Sequence, residues 1–207
     1  MSKLALGLAG AGGATGLGAV GAYQAGLFSS TEEDKPLTVK EVLSKEGYEL
    51  AKDDAQFKTF FTEFKTDDGF IKEVNKHSDN NEDLKSDNGE KGKLALKALC
   101  SSYLETKDNL DKAVKWCVLR IQDKPLSSGK NWIPTNGNNE ETEWKSAFET
   151  AKTEMARLGI EGITAEMNSE TGHPKIKKWC LENKKLPINI KNQTVQNNVI
   201  SWCSKQG

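Results

Sequence analysis

Beyond residue 36, apolar residues recur at i, i+3, i+4 and i+7, the spacing that gathers them on one face of an α-helix. Phe57, Phe60, Phe61 and Phe64 follow it, as do Leu96, Leu99, Cys100 and Tyr103, and then Leu110, Ala113, Val114, Cys117 and Ile121. Trp144, Ala147, Phe148, Ala151, Met155 and Leu158 repeat it, and Val195, Val199, Trp202 and Cys203 close the chain with it. Turn-forming residues concentrate at 79–92, 123–139, 159–174 and 183–192. Such clusters interrupt helices, so the pattern predicts about six to eight helices and an all-α fold.

The helical pattern also repeats itself. Gln56–Thr66 aligns with Glu143–Thr153, placing Phe57 opposite Trp144, Phe60 opposite Ala147 and Phe61 opposite Phe148. Farther on, Leu96-Lys97-Ala98-Leu99-Cys100 parallels Ile176-Lys177-Lys178-Trp179-Cys180, and Ala113-Val114-Lys115-Trp116-Cys117 parallels Val199-Ile200-Ser201-Trp202-Cys203. Segments matching in the same order point to an internal duplication. The expected organisation is a membrane anchor at 1–30, a charged spacer at 31–49, one helical repeat at 50–126, a linker at 127–139 and a second repeat at 140–207.

The anchor assignment rests on Leu4–Phe28, 25 residues without a charge, 15 of them Gly or Ala. As a helix this stretch is roughly 37 Å long, against about 30 Å of bilayer hydrocarbon. A single transmembrane helix is therefore expected, and a cleaved signal peptide with Ala19-Val20-Gly21 at its cleavage site is the main rival. The segment also contains G-x-G-x-x-G at Gly16–Gly21, the pattern of a nucleotide-binding oxidoreductase. That motif needs a second buried parallel strand downstream, which Gly26–Ser30 is too short and too polar to supply. Gly12-xxx-Gly16 and Gly18-xxx-Ala22 would allow self-association of anchor helices. Lys35, Lys40 and Lys45 lie just beyond the segment, so charge alone does not place the following domain outside the membrane.

Four cysteines, two per repeat, form no C-x-x-C, so a zinc ribbon or thioredoxin-type pair lacks its spacing. If each repeat ends in an antiparallel helical hairpin, Cys180 faces Cys203 almost level, and Cys100 and Cys117 are offset by about one helical turn. Two disulfides, Cys100–Cys117 and Cys180–Cys203, are the preferred assignment. Every cysteine also lies on an apolar stripe where a reduced thiol would pack as a small hydrophobe, and that assignment stays open.

Composition narrows the chemistry. The net charge of −1, from 29 bases and 30 acids, gives no electrostatic footprint for nucleic acid. With His77 and His173 the only histidines, there is little material for metal or histidine-based catalysis. Paired acids such as Asp53-Asp54, Asp67-Asp68 and Glu140-Glu141 read as helix caps and dipole partners. The acid-rich stretch Asp79–Glu90 lacks calcium-loop spacing and reads as an exposed flexible loop. No P-loop, H-E-x-x-H or G-x-S-x-G motif is present. No cofactor, metal or catalytic residue is expected, and an enzyme is not.

Gly10–Gly26, Trp116-Cys117 with Asp123-Lys124-Pro125-Leu126, Trp144-Lys145, and Trp179-Cys180-Leu181-Glu182-Asn183 form a recognisable pattern. In these segments the chain resembles large paralogous families of uncharacterised proteins in haemotropic mycoplasmas. Twenty-seven lysines against two arginines fit an AT-rich genome. The resemblance implies a single-pass membrane protein, its C-terminal domain extracellular, with a role in antigenic variation. The expected function is binding or antigenic display toward a host surface or host factor. A scaffold on the cytoplasmic side is the alternative.

Overall fold

The computed structural model describes residues 36–79, 82–137 and 139–207. The anchor Leu4–Phe28, with its Gly16–Gly21 motif, lies outside the described residues. Among the described residues are eight α-helices and one two-stranded sheet: α1 (Val39–Lys45), α2 (Asp54–Phe64), α3 (Asp68–Asn75), α4 (Glu90–Leu104), α5 (Leu110–Cys117), β1 (Lys130–Trp132), α6 (Glu140–Arg157), α7 (Ser169–Asn183), α8 (Gln193–Trp202) and β2 (Ser204–Gln206). The fold is all-α in class. No helix among the described residues is long and apolar enough to cross a membrane.

Local chemistry sets the helix limits. Thr38 with Glu41 and Asp53 with Gln56 form reciprocal capping boxes that satisfy free amides at the starts of α1 and α2. Asp67 accepts from the Gly69 and Phe70 amides and starts α3 only a few residues after α2 stops. Asn168 accepts from the Thr171 amide and begins α7. The predicted break at 159–174 therefore ends at Asn168, with Pro174 inside α7. So near a helix start, proline's missing N–H forfeits one intrahelical bond without ending the helix.

Aligned positions of the two halves make the same contacts. The Phe61 ring lies over Gly92 so closely that a Cβ there would meet it at 2.3 Å, and Phe148 lies over Gly172 with a corresponding distance of 2.1 Å. Each glycine stands four residues before an aligned apolar pair, Leu96 and Ile176. Lys65 donates to the Asp87 carbonyl and its counterpart Lys152 to the Met167 carbonyl. Lys58 pairs with Glu90, and Lys145 with Glu170. The Ala51 amide donates to the Cys117 carbonyl and the Ile133 amide to the Cys203 carbonyl, both at 2.9 Å. In each half a strand-like segment entering the first helix thus runs antiparallel to the segment leaving the last one.

The halves differ where each carries extra chain. The first contains α3, whose Phe70 meets Phe61, Phe64 and Trp116. In the second, α6 continues for 18 residues where α2 has 11, and Met155 near its end is fully buried. The turn between α7 and α8, residues 184–192, is longer than its counterpart and joins the halves. The Ile121 amide donates to Leu186, Ile188 to Leu119, Glu49 to Ile188 and Ile190 to Glu46. One continuous buried cluster runs through both halves.

Three expectations are corrected. The charged spacer is folded from residue 36 on: Val39 and Leu43 of α1 are buried, and the Val39 amide donates to the Thr106 carbonyl at 2.7 Å. The linker carries β1, paired with β2 in the register Asn131↔Lys205, and a buried Ile133. The acid-rich stretch 79–90 holds Leu84 in the core at 1% exposure, with Asp87 accepting from the Gly89 and Gly92 amides. In each case one or two apolar side chains find the core from within a polar neighbourhood.

Candidate binding groove and buried cations

The cysteines proposed as site residues are all joined, Cys100 to Cys117 and Cys180 to Cys203, with Cα separations of 5.6 and 5.8 Å. Both separations lie in the normal range for a disulfide. They tie α4 to the end of α5 and α7 to the residue after α8, and leave no thiol free. A cavity of about 150 Å³, lined by Phe57, Lys97, Ser101 and both sulfur-bearing residues, lies beside the first bridge.

The other candidates from sequence have structural partners. Asp53 and Asp67 cap helices, Asp54 faces Lys97, Asp68 pairs with Lys85, Glu140 with Lys177 and Glu141 with Lys145. His173 Nδ1 lies 2.9 Å from the Ser169 carbonyl one turn earlier. Among the described residues no group of three His, Cys, Asp or Glu side chains is placed to hold a metal ion.

Two cations at the joint stand out. Arg120, one of the chain's two arginines, is 8% exposed and forks between two acids. Its guanidinium donates to both oxygens of Glu63 at 2.5 and 2.7 Å and to both oxygens of Asp123 at 2.8 and 3.0 Å, above the rings of Phe60 and Phe64. Burial opposes its charge, but the bonds to Glu63 and Asp123 outweigh that and raise its pKa. The same bond holds the Glu63 carboxyl below the usual range. Lys184 is 7% exposed, its ammonium 4.4 Å above the Trp132 ring. No carboxylate among the described residues pairs with it, and burial pulls its pKa down to about 8.

A second groove, of about 240 Å³, lies in the second half between α6 and α8 and beside β2. Ser146, Ala147 and Thr150 form one wall, and Ser201 and Trp202 the other. At its end Glu143 binds Lys205 through one carboxylate oxygen, while the other, Oε2, is buried with no hydrogen-bond partner. A buried acceptor without a donor is costly, so this oxygen is poised for one. Trp202 is held from behind by Trp179, ring centres 5.0 Å apart.

Neither the groove nor the buried cations came out of sequence reading. The rarity of arginine was the available signal for Arg120. For the groove it was the alignment of small Ala147 with bulky Phe60. Compared with protein-family models, with curated proteins and with solved structures, the chain matches none.

Proposed function

We propose that this protein is a membrane-tethered helical protein displayed on the outer side of a membrane, and that it acts by binding rather than by catalysis. The carrying observation is the pair of disulfides, one in each half. Such bonds form and persist in oxidising surroundings and are rare in a reducing cytosol. The uncharged stretch Leu4–Phe28 supplies the tether, and its Gly-xxx-Gly spacing offers a route to self-association. A surface of lysine–carboxylate pairs around a stapled core suits a module that meets partners in solution, a host surface or host factor among them. The resemblance to paralogous mycoplasma families supports display and antigenic variation.

A scaffold on the cytoplasmic side is favoured by one observation, the bases Lys35, Lys40 and Lys45 immediately after the tether. One experiment separates the two. Intact cells are treated with protease, and the protein is recovered under denaturing, non-reducing conditions with thiol alkylation. Display predicts loss of the Trp144–Gly207 region from treated cells and no alkylated cysteine in the protein from untreated cells. Survival of that region with four alkylated cysteines overturns display in favour of the scaffold.

A further inference from the structure

The sequence holds two Asn-Gly steps, Asn88-Gly89 and Asn136-Gly137, and the fold treats them oppositely. A glycine after asparagine offers an amide nitrogen that no side chain shields, so that nitrogen can attack the asparagine carboxamide. The attack needs a free amide and a backbone able to turn. At Asn88 both are withheld. Gly89 is buried, its amide donates to Asp87 Oδ2 at 2.7 Å, and its carbonyl accepts from the Lys93 amide of α4 at 3.1 Å. The Asn88 carboxamide oxygen accepts from the Glu90 amide at 3.1 Å, which fixes it on the first turn of α4. A Cβ on Gly89 would meet the Lys58 side chain at 2.9 Å, so the turn is packed as well as bonded.

Asn136-Gly137 lies between β1 and α6, and both residues are exposed. The loop is held on its flanks through carbonyl groups. Pro134 accepts from the Trp144 indole and Thr135 from the Lys177 ammonium, both at 2.9 Å, and Gly137 accepts from the Glu140 amide at 3.4 Å. Neither the Gly137 amide nor the Asn136 carboxamide has a hydrogen-bond partner among the described residues. No atom of those residues stands within 4 Å of the place a Gly137 Cβ would take. From this contrast we infer that Asn136 is a site of spontaneous modification, converting in the folded protein to isoaspartate and aspartate while Asn88 is spared. The Gly137 amide nitrogen bonds to Asn136 Cγ and closes a five-membered imide. The Cγ–Nδ2 bond breaks, and the nitrogen leaves as ammonia, taking up the proton that the Gly137 amide loses. Water then opens the imide at one carbonyl to give aspartate or at the other to give isoaspartate.

The product changes the surface it sits on. Residues 131–139 carry no charge, so it places the first carboxylate in that stretch and takes the net charge from −1 to −2. Isoaspartate also adds one main-chain carbon between the points where Lys177 and Glu140 hold the loop. One sequence thereby presents two surfaces beside the start of α6, an uncharged one when newly made and an acidic one with age. The inference depends neither on display nor on a partner, because the step consumes only this chain and water.

The test incubates the full chain in detergent micelles at mildly alkaline pH, then digests it with trypsin beside an unincubated control. Mass spectrometry follows the peptides 131–145 and 86–91, with electron-transfer fragmentation to locate the change and to tell isoaspartate from aspartate. In the folded chain Asn136 should react at least about ten times faster than Asn88, with isoaspartate the main product. After unfolding in guanidinium chloride with the cysteines reduced and alkylated, the two rates should agree within about threefold, because only native contacts separate them. Asp87→Ala frees the Gly89 amide and should raise the Asn88 rate at least about fivefold, with helical circular dichroism retained and Asn136 unchanged. Gly137→Ala sets a methyl group beside the attacking nitrogen and should slow Asn136 at least about tenfold. Equal rates in the folded chain, Asn88 outpacing Asn136, or a difference of the same size that persists after unfolding would overturn the inference.

Discussion

Lys184 shows what one residue concedes to the joint. Its stem is buried between the halves and its ammonium lies over the Trp132 face with no carboxylate beside it among the described residues, so the charged form is disfavoured in the folded state. Folded, it loses its proton near pH 8; unfolded, near its ordinary value of 10.5. Between those values the unfolded chain binds more protons, so the penalty for burying the charge, present in full below about 8, is relieved as pH rises. Lys184→Met keeps the stem and removes the charge. It should raise stability at pH 7 by about 1 kcal/mol after allowance for the lost contact with Trp132. The difference in denaturant-unfolding free energy between variant and parent should shrink from pH 8 toward pH 10, and the titration of Tyr48 and Tyr103, both pushed up by burial, is common to variant and parent and cancels in that difference. A difference that does not change with pH would contradict this account. Arg120 shows the contrasting solution, a buried cation fully met by two carboxylates.

At the level of elements, both halves share a close approach of a glycine in the opening turns of a helix to a phenylalanine ring. Gly92 lets α4 approach α2, and Gly172 lets α7 approach α6; a methyl group at either must push aside a buried aromatic side chain. Gly92→Ala and Gly172→Ala should each destabilise by about 2 kcal/mol despite alanine's better helix propensity. Phe61→Leu and Phe148→Leu in the respective backgrounds should recover part of that loss. Additivity in both double-mutant cycles, measured by urea unfolding, would show that ring and glycine do not act together. The phenylalanines of this contact were legible in the sequence because they belong to a run with helical period. The glycines were not, since a lone glycine in a helical pattern signals only a weak position. Helix α1 and strand β1 escaped for a related reason. Val39 and Leu43, or Ile133 alone, are too few to set a period against charged or polar neighbours. The groove was half legible: Ala147 opposite Phe60 could be read, but the unpaired Glu143 oxygen at its end depends on how α6 meets β2 and could not.

For the whole molecule, the question is whether two stapled halves unfold as two bodies or as one. The bridges span 17 and 23 residues, and cross-links over loops of that size should each stabilise by about 3 kcal/mol through restriction of the unfolded chain. If the halves were independent, removing one bridge would lower the stability of one half and split the unfolding transition. The joint argues otherwise. Residues 184–190 of the second half supply main-chain hydrogen bonds to both strand-like segments of the first, at Glu46–Glu49 and Leu119–Gln122. Lys184 and Ile188 are buried there, and the apolar core is continuous across it. Unfolding either half would strip the other of these partners and expose Ile121 and Ile188 to water, which couples the two. Cys100→Ala with Cys117→Ala, and separately Cys180→Ala with Cys203→Ala, should therefore each shift a single transition to lower denaturant, with tryptophan fluorescence and far-ultraviolet circular dichroism coinciding. Trp116 lies in the first half, Trp144, Trp179 and Trp202 in the second, and Trp132 at the joint, so loss of one half alone would change the emission in two steps. A biphasic curve in either variant, with one set of tryptophans changing before the other, would show that the hydrogen bonds of the joint are too weak to make the halves one cooperative unit.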